Sequence, residues 1–250
     1  WYIVIVNAVQ MRRLGEAMLK AGGVPDEEVE ITMEIFIDTS LRGVDSHGVR
    51  RIPEIIREIR AGEVKPGASA KVLRDTATTA MWDAGDVSGL VVAQQAIEKA
   101  IEKARAYKIG SVGTMGNGNQ GALYWYTELA VKNDMIGVVL QRGGGHRAAP
   151  FGGVEGRLGT NPLAIGVPAG KERPIFLDMA TNAVASGHFL VMGMGGEKLP
   201  EGWVISSDGR WVTEYDREAV RKGRMSPVSF GGVTTCLLYT SPSPRDRTRS

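Results

Sequence analysis

Four short aliphatic runs, Ile109 to Thr114, Met135 to Gln141, Leu163 to Val167 and Ile175 to Asp178, are punctuated by glycine and carry no helical period. Runs of this length and texture are strands of a central sheet, because a strand buried on both faces reads as a continuous apolar stretch. The sequence ahead of them is different. Met11 to Ala21 places Met11, Leu14, Met18 and Ala21 on one face and stops at Gly22-Gly23, which predicts an amphipathic helix. A second helix starts at Pro25 with the acidic turn Asp26, Glu27 and Glu28, and Val29, Met33, Phe36, Ile37 and Leu41 form its apolar stripe. The third, near Val49 to Ala61, stacks Ile52, Ile55, Ile56 and Ile59 and stops at Gly62. Residues 71 to 84 read as strand and turn. Gln94 to Ala106 reads as a long helix facing a core with Ala96, Ile97, Ala100, Ile101 and Ala104. The expectation is a mixed α/β (α+β) protein: a helical layer, residues 1–70, followed by a sheet domain, residues 71–232.

The last segment, 233–250, has no period and is low in complexity. It resembles the translation of a sequencing-library adapter fused to a truncated frame, so a non-native tail is expected there. Its three arginines and one aspartate carry +2, the whole formal net charge of the chain, which leaves residues 1–236 neutral. Apparent basicity is therefore no argument for nucleic acid. No apolar run approaches the length of a membrane span, and Trp1 to Val6 is too short and lacks the basic flank of a signal peptide, so a cytoplasmic protein is expected. A single cysteine excludes an internal disulfide. No His/Cys/carboxylate spacing suits a structural zinc. The methionines at helical spacing are core filler.

Chemistry concentrates at Asp45-Ser46-His47-Gly48-Val49-Arg50-Arg51, where a hydroxyl, an imidazole and a guanidinium fall together. His47 is one of three histidines, and an imidazole exchanges protons near neutrality. Arg51, four residues on, can grip a carboxylate through two parallel hydrogen bonds. A helix entry, with Ser46 as N-cap and His47 on the surface, explains the same residues. Gly116-Asn117-Gly118-Asn119-Gln120-Gly121 matches GxGxxG between a predicted strand and a predicted helix, with Arg142 about twenty residues on, where a dinucleotide fold keeps its ribose reader. In a chain with 33 glycines a flexible turn explains that match about as well.

The ordered blocks Leu41 to Pro53, Gly62 to Gly67, Gly153 to Ala164, Leu177 to Thr181 and Leu199 to Trp203 resemble, in register from about residue 8 to 232, the malate/L-lactate dehydrogenase family of the second type. That family includes ureidoglycolate and sulfolactate dehydrogenases, diketogulonate reductases and cyclic-imine carboxylate reductases. The resemblance implies a helical N-terminal segment packed on a largely antiparallel, non-Rossmann sheet domain that binds NAD or NADP. It also implies a homodimer and hydride transfer at C2 of a small 2-oxo or 2-hydroxy acid. Carried over by position, Ser46, His47 and Arg51 face the substrate. Gly143, Thr160, Asn161, Pro162, Asp178, Met179, Ala180 and Thr181 line the cofactor.

Departures from the family pattern are equally specific. Asn119 stands where relatives carry a histidine, and an amide cannot supply a proton, so His47 is left as the proton donor. Ile55 replaces a frequent tyrosine, Asn182 a serine and His188 a lysine. His188 reads as a solvent or structural residue, and His146, on a glycine loop, as a loop anchor or a substitute donor. An iminium substrate arrives already protonated, so a cyclic-imine carboxylate is the alternative to a ketone. A cofactor-binding homologue impaired by Asn119 is another. The run Met225 to Gly232 stops where relatives continue into further cofactor-binding sequence, so a C-terminal truncation is expected.

Overall fold

The computed structural model describes residues 6–143, 145, 147–184, 192–193 and 195–230. The expected tail, His146 and His188 lie outside the described residues. The chain forms two compact units, Trp1–Val139 with Ala164–Leu177, and Leu140–Leu163 with Asp178–Ser250.

The first unit begins with helix α1 (Ala8–Ala21), capped by Asn7, whose Oδ1 accepts from the amides of Val9 and Gln10 at 2.9 and 3.3 Å. Its buried residues are Gly15 and Leu19, while Leu14 is 55% exposed. The inward face is therefore rotated from the expected Met11/Leu14 stripe. The cause is α2 (Asp26–Leu41): the Met33 side chain fills the space over Gly15, where a Cβ would stand 2.6 Å from Met33 Sδ. On α2, Val29, Met33 and Phe36 are buried as expected, joined by Thr32, Ile35 and Thr39, whereas Leu41 ends the helix in solvent.

Two 3-10 turns, Asp45–His47 and Val49–Arg51, precede α3 (Ile52–Ala61). The third helix thus starts later than Val49, with Pro53 in its first turn. Leu19, Met33, Phe36 and Ile52 join Leu90 and Leu123 in one core.

Strands β1 (Lys71–Asp75) and β2 (Thr79–Asp83) form an antiparallel hairpin, and α4 (Gly89–Tyr107) leads to β3 (Ser111–Met115), which pairs with β2 in parallel. Lys103 of α4 is buried and grips the Asp75 carboxylate and the Thr76 carbonyl, pinning helix to hairpin. The sheet order β1-β2-β3 contains one βαβ crossover flanked by an antiparallel edge. A dinucleotide fold needs consecutive parallel crossovers, so the GxGxxG run after β3 is a connecting loop.

That loop enters α5 (Tyr124–Val131), which is buried over Tyr124 to Thr127. Arg42, one residue past α2, clamps α2 to α5. It donates to Asp38 and to Glu128 at 2.8 Å each, and its guanidinium lies 4.6 Å from the Tyr124 ring centroid. The Tyr124 hydroxyl donates to Asp38 at 2.7 Å, and burial pushes its pKa well above the usual phenol value.

Strands β4 (Gly137–Leu140), β5 (Leu163–Val167) and β6 (Ile175–Met179) pair in that order. Val139 and Ala164 turn inward onto the core. By alternation Ile136, Val138, Ile165, Val167, Ile175 and Leu177 are among the side chains on the opposite face. Of these, Ile136, Val138 and Ile175 are 65%, 53% and 68% exposed.

In the second unit β7 (Val204–Ser206) pairs antiparallel with β8 (Met225–Pro227), beside the short α6 (Arg217–Arg221) capped by Asp216. Val184, Leu199, Val204, Ala219 and Met225 make its core.

Candidate active site

The segment from Asp45 to Arg51 is folded against the end of α2 by a close approach at Gly48. A Cβ there would lie 2.1 Å from Ser40 Oγ, and that same oxygen accepts the Val49 amide at 3.1 Å. Glycine is required here for space. The consequence is a tight pair of turns that keeps Ser46, His47 and Arg51 close in space.

Ser46 does not cap a helix. Its Oγ shares a hydrogen bond of 2.8 Å with Nδ1 of His47. His47 is half-buried, and burial, reinforced by the positive charge of Arg51, holds its pKa below the usual imidazole value. The imidazole is therefore neutral at neutral pH, with Nδ1 engaged and Nε2 as the remaining ring nitrogen.

Arg51 reaches a cleft in the first unit, lined also by Glu54, Ile55, Glu58, Ser88, Gly89 and Asn119. The cleft offers about 30 Å³, room for a single water-sized group. Arg51 Nη1 donates to Glu54 Oε2 at 2.6 Å. Glu58, one turn beyond Glu54 on α3, has its carboxyl pushed up by burial and by the negative charge of Glu54. Ser88 and Gly89 bring the N-terminus of α4 into the same lining; no side chain caps it, and its dipole favours an anion.

Asn119 shares this cleft with Arg51, so two of the four expected substrate residues meet; Ser46 and His47 stand beside Arg51 without lining it. The Oδ1 of Asn119 accepts the Gly121 amide at 2.7 Å. Its Nδ2 is thus the end able to donate. Sequence reasoning missed Glu54 and Glu58. Their offsets of three and seven from Arg51 on a helix were the available signal.

In the second unit a compact loop cluster gathers Gly143, Thr160, Asn161, Pro162 and Thr181. The Gly143 amide donates to Asn161 Oδ1 at 3.0 Å, and the Gln141 amide to the Pro162 carbonyl at 3.1 Å. Thr181 donates its amide to the Thr160 carbonyl at 3.1 Å and its hydroxyl to the Asn161 carbonyl at 3.0 Å. Asn161 takes a left-handed conformation, φ 42°, which asparagine tolerates better than most residues. Backbones at 143 and 159 are pressed together: a Cβ on Gly159 would stand 1.9 Å from the Gly143 carbonyl oxygen. Asp178, Met179 and Ala180 lead from the end of β6 into Thr181, so these positions are contiguous with the cluster.

Residues 6–236 match the malate/L-lactate dehydrogenase family. The L-sulfolactate dehydrogenase of Methanothermobacter thermautotrophicus is 38% identical over 215 residues, covering 86% of this chain and 61% of that protein. The malate dehydrogenase structure from Entamoeba histolytica superposes with a TM-score of 0.86 at 28% identity, over 91% of this chain and 64% of that one. The sulfolactate dehydrogenase structure from Methanocaldococcus jannaschii gives a TM-score of 0.83 at 35% identity, over 94% of this chain and 67% of that one. The chain thus spans 61% to 67% of the length of these relatives. Both the mixed helix-and-sheet fold and the family resemblance read from the sequence agree with these matches. The chain belongs to the malate/L-lactate dehydrogenase family.

Proposed function

We propose that this protein is a nicotinamide-dependent oxidoreductase that moves a hydride between NAD or NADP and C2 of a small 2-oxo or 2-hydroxy acid. The observation that carries this reading is the Ser46–His47–Arg51 group: an imidazole fixed through Nδ1 and kept neutral, beside a guanidinium at a cleft. Arg51 takes the acid's carboxylate. Its present pairing with Glu54 is about one-third exposed, and pairs of that kind contribute only about 0.2–1 kcal/mol, so an incoming carboxylate displaces or shares it. When His47 donates Nδ1–H to Ser46, Nε2 is free to accept the proton of the substrate hydroxyl. In reduction the same nitrogen returns that proton to the C2 oxygen. Asn119 Nδ2 donates a hydrogen bond to that oxygen.

Residues 160–162 and 178–181 and Gly143 would hold the cofactor. They offer hydroxyls, backbone groups and one carboxylate, Asp178, and no cationic side chain. That donor set suits the hydroxyls and carboxamide of a nicotinamide riboside. When bound, the nicotinamide supplies or accepts the hydride. Gly159→Ala, by forcing the 143 and 159 backbones apart, should weaken nicotinamide binding while leaving the first unit folded. Cofactor fluorescence titration measures this.

Turnover of 2-oxo acids with reduced nicotinamide tests the whole reading. His47→Gln should lower kcat by about 10² to 10⁴, the usual worth of a positioned acid or base. Arg51→Gln should act mainly on KM. Unchanged kcat in His47→Gln overturns the assignment. Asn119 supports a second reading, a cyclic-imine carboxylate whose nitrogen arrives protonated, and preference for such an imine over pyruvate or oxaloacetate would select it. A homodimer, which the family resemblance implies, and a place in the cytoplasm complete the proposal. No helix among the described residues is long and apolar enough to cross a membrane. Sedimentation of the purified chain tests the dimer.

A further inference from the structure

The loop that carries Asn119 is seated from two sides. Against the first turn of α4 the fit is close: a Cβ on Gly89 would stand 2.3 Å from the Asn119 carbonyl oxygen and 2.8 Å from that of Gly118. From α5, Tyr126, only 1% exposed, donates its hydroxyl to the Gln120 carbonyl at 2.6 Å. Burial pushes the pKa of that phenol far above its usual value, so the hydroxyl stays a donor at any working pH.

One peptide group links Tyr126 to Asn119. The carbonyl of Gln120 and the amide of Gly121 belong to the same plane and point in opposite directions. Tyr126 holds the carbonyl, and the amide donates to Asn119 Oδ1 at 2.7 Å. Fixing one end of the plane fixes the other, and a bond received by the carbonyl strengthens the N–H as a donor. Gly121 has φ 69° and, as glycine, populates either sign of φ, so rotation of this plane meets little backbone resistance. Half a turn would present the Gln120 carbonyl to Asn119. A carbonyl only accepts, so the side-chain amide would then turn Nδ2 toward the loop and Oδ1 toward the site.

We propose that Tyr126 is a positioning residue: through the Gln120–Gly121 peptide it keeps Asn119 a hydrogen-bond donor to the C2 oxygen. The inference rests on the role given to Asn119 above. Without the Tyr126 hydroxyl the Gln120 carbonyl loses this partner, the plane is free to turn, and Asn119 is a donor for only part of the time. In the turned state its oxygen repels a ketone oxygen.

Hydrogen exchange of the Gly121 amide, followed by NMR, reads the latch itself. Exchange should be slow in the unmodified chain and about tenfold faster in Tyr126→Phe, the worth of one lost hydrogen bond. Turnover of pyruvate and oxaloacetate with reduced nicotinamide reads its consequence. Tyr126→Phe should lower kcat by about threefold or more. Asn119→Asp keeps the bond from Gly121 but has no donor, so it should lower kcat further, and adding Tyr126→Phe to it should lower kcat no more. Unprotected exchange in the unmodified chain, or equal exchange in the two proteins, overturns the proposal. So does an equal loss of kcat from Tyr126→Phe in both backgrounds, which is what a general packing defect produces. Absence of turnover in the unmodified chain overturns the functional reading instead, and Gly121 exchange still decides the latch.

Discussion

Replacing Gly48 by alanine probes the contact that shapes the His47 loop. The backbone at Gly48 has φ −96° and ψ −151°, an extended conformation open to alanine, so the cost is steric. A Cβ there stands 2.1 Å from Ser40 Oγ and 3.2 Å from both Ser40 Cβ and Ser40 N. Ser40 must swing away, which breaks its hydrogen bond from the Val49 amide and costs about 1 kcal/mol. Crowding against the α2 backbone adds about 1–3 kcal/mol. The reduced entropy of the unfolded alanine chain offsets about 0.4–1 kcal/mol. The net loss is about 2 kcal/mol. Ser40→Ala alone costs about 1 kcal/mol through the same hydrogen bond. In the double variant the 2.1 Å conflict has no oxygen to act on, so its loss should fall short of the two single losses together by about 1 kcal/mol. Urea unfolding of the four proteins, followed by far-ultraviolet circular dichroism, measures this cycle. A Gly48→Ala loss under about 0.5 kcal/mol, or strict additivity, refutes the steric argument.

Oxidation of a 2-hydroxy acid needs neutral His47, whose pKa lies below 6.5 through burial first and Arg51 second; its rate should rise with pH and level off below that value, while reduction should favour acid. Arg51→Gln removes the positive neighbour and should move the His47 midpoint upward, which proton NMR resolves in a chain with three histidines. The same folded-state shift means that stability contributed at His47 is complete above 6.5 and declines as pH falls through the lowered value. Arg42→Ala should cost about 2 kcal/mol in urea unfolding, from two partly exposed charge-assisted bonds and one cation–π contact.

Periodicity located α1 to α3 because each presents an apolar face to one core, and glycine marked the ends of α1 and α3. It placed the start of α4 too late, at Gln94, because Leu90 to Ala93 are buried in succession and an all-round apolar turn has no 3.6-residue signature. Leu14 misled for a different reason: Gly15 provides the closer packing surface, and a missing side chain has no hydropathy. The Ser46–His47 contact was legible as adjacency, and the alternative in which Ser46 caps a helix is the one the fold does not adopt. Arg42 bridging to Glu128 joins residues 86 apart in sequence, and no local pattern encodes such a pair. In the second unit, the bond between Gly143 and Asn161 likewise spans two loops. Only the family resemblance connected those positions beforehand.

The outer face of β4, β5 and β6 governs how the protein behaves as a material. Its aliphatic side chains have neither charge nor hydrogen-bonding atoms, and Ile136, Val138 and Ile175 among them are more than half exposed to water. Attraction between such faces grows on warming and with salts excluded from protein surfaces. Ammonium sulfate should therefore precipitate this protein at low concentration, and cooling should redissolve it, with its circular dichroism unchanged throughout.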